Sequence, residues 1–94
     1  MKISDFQKLI RDIYFDRDSR RGKEGTFMWL VEEIGELANA LKEGNENEMR
    51  EEFSDVLAWL VSLASICGID MERAIEKYAG GCPKCNSTPC DCPP

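Results

Sequence analysis

Two segments that combine acidic residues with an apolar pattern decide the fold: residues 29–43, WLVEEIGELANALKE, and residues 51–64, EEFSDVLAWLVSLA. In both, apolar residues recur at the three- and four-residue spacing of a helix that is buried on one face. No segment of the chain alternates apolar and polar residues as a half-buried strand would. The sequence therefore predicts an all-α protein built around two central helices.

Boundary signals on the N-terminal side predict a further helix before these two. Ser4 forms a capping-box pattern with Gln7, which is typical of a helix start. This first helix is expected to end in a polar loop at residues 16–22. The second helix is expected to begin at a cap on Thr26 and to end before Gly44, a residue that commonly follows a helix C-terminus.

Similar signals delimit the C-terminal half. Asn45 or Asn47 is expected to cap the third helix, which ends before Gly68. Asp70 is expected to cap a short fourth helix that ends near residue 79. The sequence thus predicts a four-helix bundle-like domain.

Length and composition limit the class of protein. A chain of 94 residues forms one small domain with a thin core. The composition changes at Gly80-Gly81, which separates a helical body, residues 1–80, from a Cys-rich tail, residues 81–94. The absence of histidine excludes histidine-based catalysis and histidine metal ligands.

Charge and hydropathy indicate the kind of partner. The formal net charge of −6 disfavours binding to a nucleic-acid polymer, whose backbone is also negative. No apolar run reaches the roughly 20 residues that span a bilayer, and the N-terminus lacks the apolar core of a signal peptide. We therefore expect a cytoplasmic protein with no membrane partner.

The third helix is apolar around most of its circumference, and such a helix must be buried on nearly all sides. The residues responsible are Phe53, Val56, Leu57, Trp59, Leu60, Val61, Leu63 and Ala64. Three neighbouring helices in one short chain cannot easily bury all of them. The sequence therefore predicts a homo-oligomer, at least a dimer.

Four acidic residues fall on or beside the apolar faces of the central helices. Glu33 and Glu36 in the second helix, and Glu52 and Asp55 in the third, are each spaced i, i+3 and so project from one side of their helix. A buried carboxylate is costly without a partner, and these faces carry no basic residue. Oxygen ligands favour hard cations, so the pattern predicts a site for Mg²⁺, or alternatively Mn²⁺. Solvated faces of ordinary amphipathic helices are the less favoured interpretation.

The order and spacing of these acids resemble a known family. The pattern Glu-Glu-x-x-Glu at residues 32–36, followed by Glu-x-x-Asp at residues 52–55, is similar to that of the MazG-type all-α nucleoside triphosphate pyrophosphohydrolases. The resemblance extends over roughly residues 3–80. It implies that the four acids named above bind Mg²⁺, which in turn binds the triphosphate. Water then breaks the α–β phosphate bond, which yields a monophosphate and pyrophosphate.

The resemblance also implies an assembly and a set of substrate-binding residues. A tetramer built as a dimer of dimers is one form of oligomer that it suggests. Lys77 matches a lysine that the family uses at the outer phosphates, and three further phosphate-binding candidates are Arg17, Arg20 and Arg21. For these arginines a solvated loop is an equally good interpretation. Trp59 is a candidate to stack on the base of the nucleotide. The alternative is that Trp59 packs in the core or in a subunit interface.

Some questions stay open at the level of sequence. Gly81 occupies a position where family members often carry asparagine, which leaves the base preference undefined. Phosphoribosyl-ATP pyrophosphohydrolases share the fold and a related acidic pattern. A non-enzymatic, metal-stabilised interaction module is a second alternative, and in it the acids would be structural.

The tail contains four cysteines with gaps of two, four and one residues: Cys82, Cys85, Cys90 and Cys92. Cys-x-x-Cys is a common half of a structural zinc site, and four thiolates complete a tetrahedral shell. We therefore favour bound Zn²⁺ over the two alternatives, free thiols and disulfides. Disulfides are rare in the cytosol. Cys67 is expected to be buried at a helix end and not to be a ligand.

Overall fold

The computed structural model describes residues 1–94 and consists of helices without any strand. Helix α1 comprises Ile3–Glu43, α2 comprises Glu46–Ile66 and α3 comprises Met71–Ala74; a 3₁₀ helix, Ile75–Tyr78, follows α3 directly. The predicted all-α class is confirmed. Residues 23–43 and α2 form a helical hairpin, because only Gly44 and Asn45 connect them.

The polar loop predicted at residues 16–22 is wrong, because helix α1 continues through it and bends only at Gly22. Gly22 has φ 82° and ψ 171°, a backbone conformation open to glycine. The residues before it make ordinary helical contacts, such as an Arg21–Asp18 ion pair at i, i+3. The bundle therefore has four helical segments only if the two arms of α1 are counted separately.

Two of the predicted helix caps are also wrong. Helix α1 begins one residue earlier than Ser4, and the backbone N–H of Lys2 donates to Asp5 Oδ2 at 2.9 Å. Thr26 lies inside α1 and is completely buried, because the helix restarts directly after the bend at Gly22. By contrast, Asn45 accepts a hydrogen bond from the N–H of Glu48 as predicted for a cap.

Gln7, the expected partner of Ser4 in a capping box, instead connects α1 to the C-terminal half of the chain. Its Nε2 donates to Ser65 Oγ at 3.1 Å and to the Ile69 carbonyl at 2.8 Å. Its Oε1 accepts from the N–H of Met71 at 2.9 Å. The predicted cap at Asp70 is present, since its carboxylate accepts from the N–H of Glu72 at 2.9 Å. These bonds fix α3 against the N-terminal arm of α1.

The apolar core is small, and much apolar surface is exposed. The buried apolar residues are Ile10, Leu30, Ala40, Val61 and Ala64. Large side chains on both central helices remain exposed, among them Trp29 at 47% and Phe53 at 57%. Large apolar side chains left exposed on both central helices are consistent with association. The predicted homo-oligomer stays a prediction.

None of the helices taken singly has the length and apolar character needed to cross a membrane. Only α2 taken together with residues Met71–Tyr78, which are bent from it by 101°, meets that criterion by length and composition.

Candidate metal centre and adjoining pocket

The helical hairpin brings three of the four predicted acids together. Glu33 on α1 and Glu52 and Asp55 on α2 each offer a carboxylate oxygen, and these oxygens lie within 4.8 Å of one another. The convergence follows from the sequence pattern, since each acid lies on the side of its helix that faces the other helix. Three oxygens at this spacing can contact a single cation.

The electrostatics of this acid cluster are unfavourable without a cation. Burial raises the pKa of Glu33 to about 7, and a side-chain hydrogen bond with Glu52 and the negative charges of Glu52, Asp55 and Glu36 raise it further. In addition, Glu52 Oε2 is buried and has no hydrogen-bond partner. A buried polar atom without a partner lowers the free energy of unfolding by about 1–3 kcal/mol. A cation bound to this oxygen would remove that cost. Hard oxygen donors with excess negative charge fit Mg²⁺ or Mn²⁺.

Glu36, the fourth predicted acid, lies outside the group of three. Its side chain is exposed, although its charge contributes to the raised pKa of Glu33. Its assignment as a metal ligand stays a prediction. The flanking acids Glu32 and Glu51 are exposed, as the helical spacing predicts for the polar side.

A cavity of about 250 Å³ adjoins the acid cluster through Asp55. The N-terminal arm of α1 forms one wall and the middle of α2 forms the other. The cavity is lined by Ile10, Tyr14, Arg17, Asp18, Arg21, Asp55, Ala58, Trp59 and Ser62. Asp55 therefore belongs both to the acid cluster and to the lining of a mixed polar and aromatic pocket.

Arg21 is held in place within this pocket by three neighbours. Its Nη1 donates to Asp18 Oδ1 at 2.8 Å and to Thr26 Oγ1 at 3.4 Å. Its guanidinium lies over the Trp59 ring, 4.8 Å from the centroid, where a cation–π attraction operates. Trp59 in turn stacks on Trp29, with centroids 6.0 Å apart and planes 13° from parallel. The pocket wall is therefore preorganised.

Comparison with known proteins identifies the family. The model of the MazG nucleotide pyrophosphohydrolase domain matches residues 21–86, which is most of the chain. The chain belongs to the MazG family. It is also 30% identical over 88 residues to dCTP pyrophosphatase 1 of Rattus norvegicus, an alignment that includes 78% of this chain and 52% of that protein. The chain thus spans about half the length of this curated relative.

Membership of the MazG family bears on the alternatives left open by the sequence. The match favours the MazG type over a phosphoribosyl-ATP pyrophosphohydrolase. The matched residues contain Glu33, Glu36, Glu52 and Asp55, so the acid cluster belongs to the MazG domain itself.

The basic residues predicted to contact phosphate occupy different places in the structure. Arg17 lines the cavity and also an open groove beside it, and Arg20 lines only that groove. Arg20 Nε donates to the Asp16 carbonyl at 3.2 Å. Lys77 is exposed on the 3₁₀ helix, with Nζ 5.2 Å from the Tyr78 ring, and does not line the cavity. Their phosphate-binding roles stay predictions.

Several pocket residues were missed by the sequence interpretation. Asp18 is only 4% exposed, and Tyr14 and Ser62 also line the cavity. The i, i+3 spacing of Asp18 and Arg21 would predict an ion pair on a helix. It predicts none if residues 16–22 form a loop, as expected from the sequence.

The tail thiols form a second, separate cluster. The Sγ atoms of Cys82, Cys85, Cys90 and Cys92 lie within 4.8 Å of one another. Backbone N–H groups of Asp91 and Ser87 lower the pKa of Cys85 to about 6. Cys67 is exposed, so its predicted burial is wrong; it occupies the C-cap of α2, beyond the packed part of that helix.

Proposed function

We propose that this MazG domain hydrolyses nucleoside triphosphates to the monophosphate and pyrophosphate in a Mg²⁺-dependent reaction. The observation that carries the proposal is the convergence of Glu33, Glu52 and Asp55 beside a pocket walled by Arg21 and Trp59. A nucleotide site requires two parts. One is a set of carboxylates that bind a cation, and the other is an adjoining pocket for an organic group.

In this proposal Glu33, Glu52 and Asp55 hold the cation, with Glu36 as a further ligand from the same helix face. The fit rests on Glu52 Oε2, which has no hydrogen-bond partner, and on the burial and excess negative charge that raise the pKa of Glu33. When bound, Mg²⁺ neutralises phosphate charge, orients the triphosphate and acidifies a water molecule. The chain's own contribution is to fix the carboxylates on two packed helices and to surround them with pocket walls.

The arginines divide into two roles. Arg21 is engaged by Asp18, Thr26 and Trp59, so it positions the pocket wall. Arg17 forms no ion pair and lines both the cavity and the open groove, so it is available to a phosphate. Arg20 in the groove and Lys77 on the 3₁₀ helix complete the proposed phosphate-binding set.

The size of the cavity limits which part of the substrate it accepts. Small-molecule pockets commonly measure about 300–1,000 Å³. At about 250 Å³ this cavity is smaller, so it would hold the base with part of the sugar while the triphosphate extends over the acids. The similarity to a dCTP pyrophosphatase supports dCTP as the first substrate to test.

The test is a panel of canonical and modified nucleoside triphosphates with Mg²⁺, with pyrophosphate and orthophosphate both measured. Two neighbouring variants sharpen it: Glu52→Gln removes a clustered carboxylate, whereas Glu51→Gln makes the same change on the exposed side of α2. We expect pyrophosphate release to fall by at least about 100-fold in Glu52→Gln and by less than about twofold in Glu51→Gln. Equal rates in the two variants would show that the cluster is not catalytic.

We further propose that the active form is a homo-oligomer, a dimer or a tetramer, in the cytoplasm. The support is the exposed apolar surface of the central helices, which includes Trp29 and Phe53. Light scattering at micromolar concentration measures the mass directly. A monomer of 10.7 kDa would contradict the proposal.

A further inference from the structure

The four thiols of the tail are spaced like the ligands of one ion. Cys82 Sγ lies 3.7 Å from Cys92 Sγ, and Cys85 Sγ lies 4.0 Å from Cys90 Sγ. Sulfurs joined in a disulfide are about 2.05 Å apart, so these pairs are not bonded. Four sulfurs at about 2.3 Å from a central zinc ion, arranged as a tetrahedron, lie about 3.8 Å from one another. The observed separations match that figure.

The backbone of the tail is folded around the sulfurs. The N–H of Asn86 donates to the Cys82 carbonyl at 2.6 Å, and the N–H of Cys82 donates to the Ser87 carbonyl at 3.0 Å. These bonds close a tight turn that brings Cys82 and Cys85 side by side. Two N–H groups point at sulfur: that of Asp91 at Cys85 Sγ, 3.2 Å, and that of Cys92 at Cys90 Sγ, 3.4 Å. Donors of this kind orient ligand atoms and offset their negative charge.

Apolar burial cannot account for this order. Residues 82–92 read CPKCNSTPCDC and contain no large aliphatic or aromatic side chain. Every hydrogen bond formed by these residues stays within the tail. Fixing each residue costs about 1–2 kcal/mol of backbone entropy, so a segment without a core needs a covalent or metal staple.

From these observations we infer that Cys82, Cys85, Cys90 and Cys92 bind one structural Zn²⁺ ion. Four thiolates form a closed tetrahedral shell without an open position, which is the arrangement of structural zinc sites. Soft sulfur ligands select zinc, whereas the oxygen ligands at Glu33, Glu52 and Asp55 select a hard cation. The chain therefore carries two metal sites of opposite preference, and the zinc site stands independently of the proposed hydrolysis.

The test is the zinc content of protein purified without chelator, measured by elemental analysis beside a titration of reactive thiols. We expect about one zinc per chain in the wild type and in Cys67→Ser, which changes the cysteine outside the cluster. Cys85→Ser and Cys90→Ser should retain less than about one tenth of that amount. Far-UV circular dichroism should be the same in all four proteins, because the helices end at Tyr78. That signal distinguishes the loss of a ligand from a failure to fold.

Cobalt provides a second measurement that does not depend on loading in the cell. Reduced, metal-free protein should develop thiolate-to-cobalt absorption bands that saturate at about one equivalent of Co²⁺. The Glu52→Gln variant should keep its zinc while losing pyrophosphate release, so the two proposals can fail separately. Absence of both zinc and the cobalt bands would overturn the inference, as would two tail disulfides or iron in place of zinc.

Discussion

The ion pair between Asp18 and Arg21 should stabilise the fold and shape the pocket at the same time. Asp18→Asn keeps the size of the side chain and removes its charge. The Asp18 side chain is 6% exposed and the Arg21 side chain is 26% exposed, with Oδ1 and Nη1 2.8 Å apart. Breaking a fully buried pair costs about 3–5 kcal/mol, whereas an exposed pair contributes about 0–1 kcal/mol. Because Arg21 is partly exposed, we expect an intermediate loss of about 1–3 kcal/mol.

Urea denaturation at fixed protein concentration measures this loss, since association would otherwise shift the midpoint. Asp16→Asn is a matched control, because Asp16 is an exposed acid in the same arm of α1; we expect it to stay within about 0.5 kcal/mol of the wild type. A double-mutant cycle of Asp18→Asn with Arg21→Met isolates the pair, with an expected coupling energy of about 1–2 kcal/mol. A coupling energy near zero, or equal effects of the two Asn variants, would refute this explanation of the pocket.

Three further predictions follow from the site and the bend in α1. Because the pKa of Glu33 rises from 4.5 to about 7 on folding, the metal-free folded state binds more protons between these values. The free energy of unfolding of the metal-free protein should therefore fall as pH rises through this window, and the urea midpoint should fall with it. Saturating Mg²⁺ should abolish this pH dependence of the urea midpoint. Trp59→Ala should raise KM at least about tenfold in steady-state assays because it removes a pocket wall, while Trp59→Phe should restore most of the affinity. Gly22→Ala should lower the urea midpoint by the equivalent of about 1–3 kcal/mol, because φ 82° with ψ 171° is a backbone conformation almost restricted to glycine. Gly35→Ala, in the regular helix with open space at Cβ, should not lower it.

The sequence was most informative where the helical period and the chemistry agreed. Glu33, Glu52 and Asp55 stand out because each interrupts an apolar face, and the hairpin of residues 23–43 and α2 places their oxygens together. The stop at Gly44 and the cap at Asn45 follow from local backbone preferences, and both are present in the structure. Local signals of this kind require no knowledge of tertiary packing.

The errors arose where tertiary contacts override local preference. A polar run such as residues 16–22 suits an exposed helix as well as a loop, and only packing decides between them. Asp18 is buried beside Arg21, whose guanidinium also contacts Thr26 and the Trp59 ring of α2. Periodicity within α1 cannot show the contact with α2. Gln7 resembles a capping residue in sequence, yet its partners lie 58 or more residues away.

The most direct test of the central claim is a phosphorus-31 NMR time course of dCTP with purified protein and Mg²⁺. The proposed function predicts deoxycytidine monophosphate and pyrophosphate in equal amounts, without a diphosphate intermediate. It also predicts that turnover stops when the Mg²⁺ is chelated and falls at least about 100-fold in Glu52→Gln, whose carboxylate belongs to the cluster. If dCTP is not turned over, the same experiment extends to the other nucleoside triphosphates of the panel. Release of orthophosphate with a diphosphate product, or turnover that survives both the loss of Mg²⁺ and Glu52→Gln, would contradict the claim.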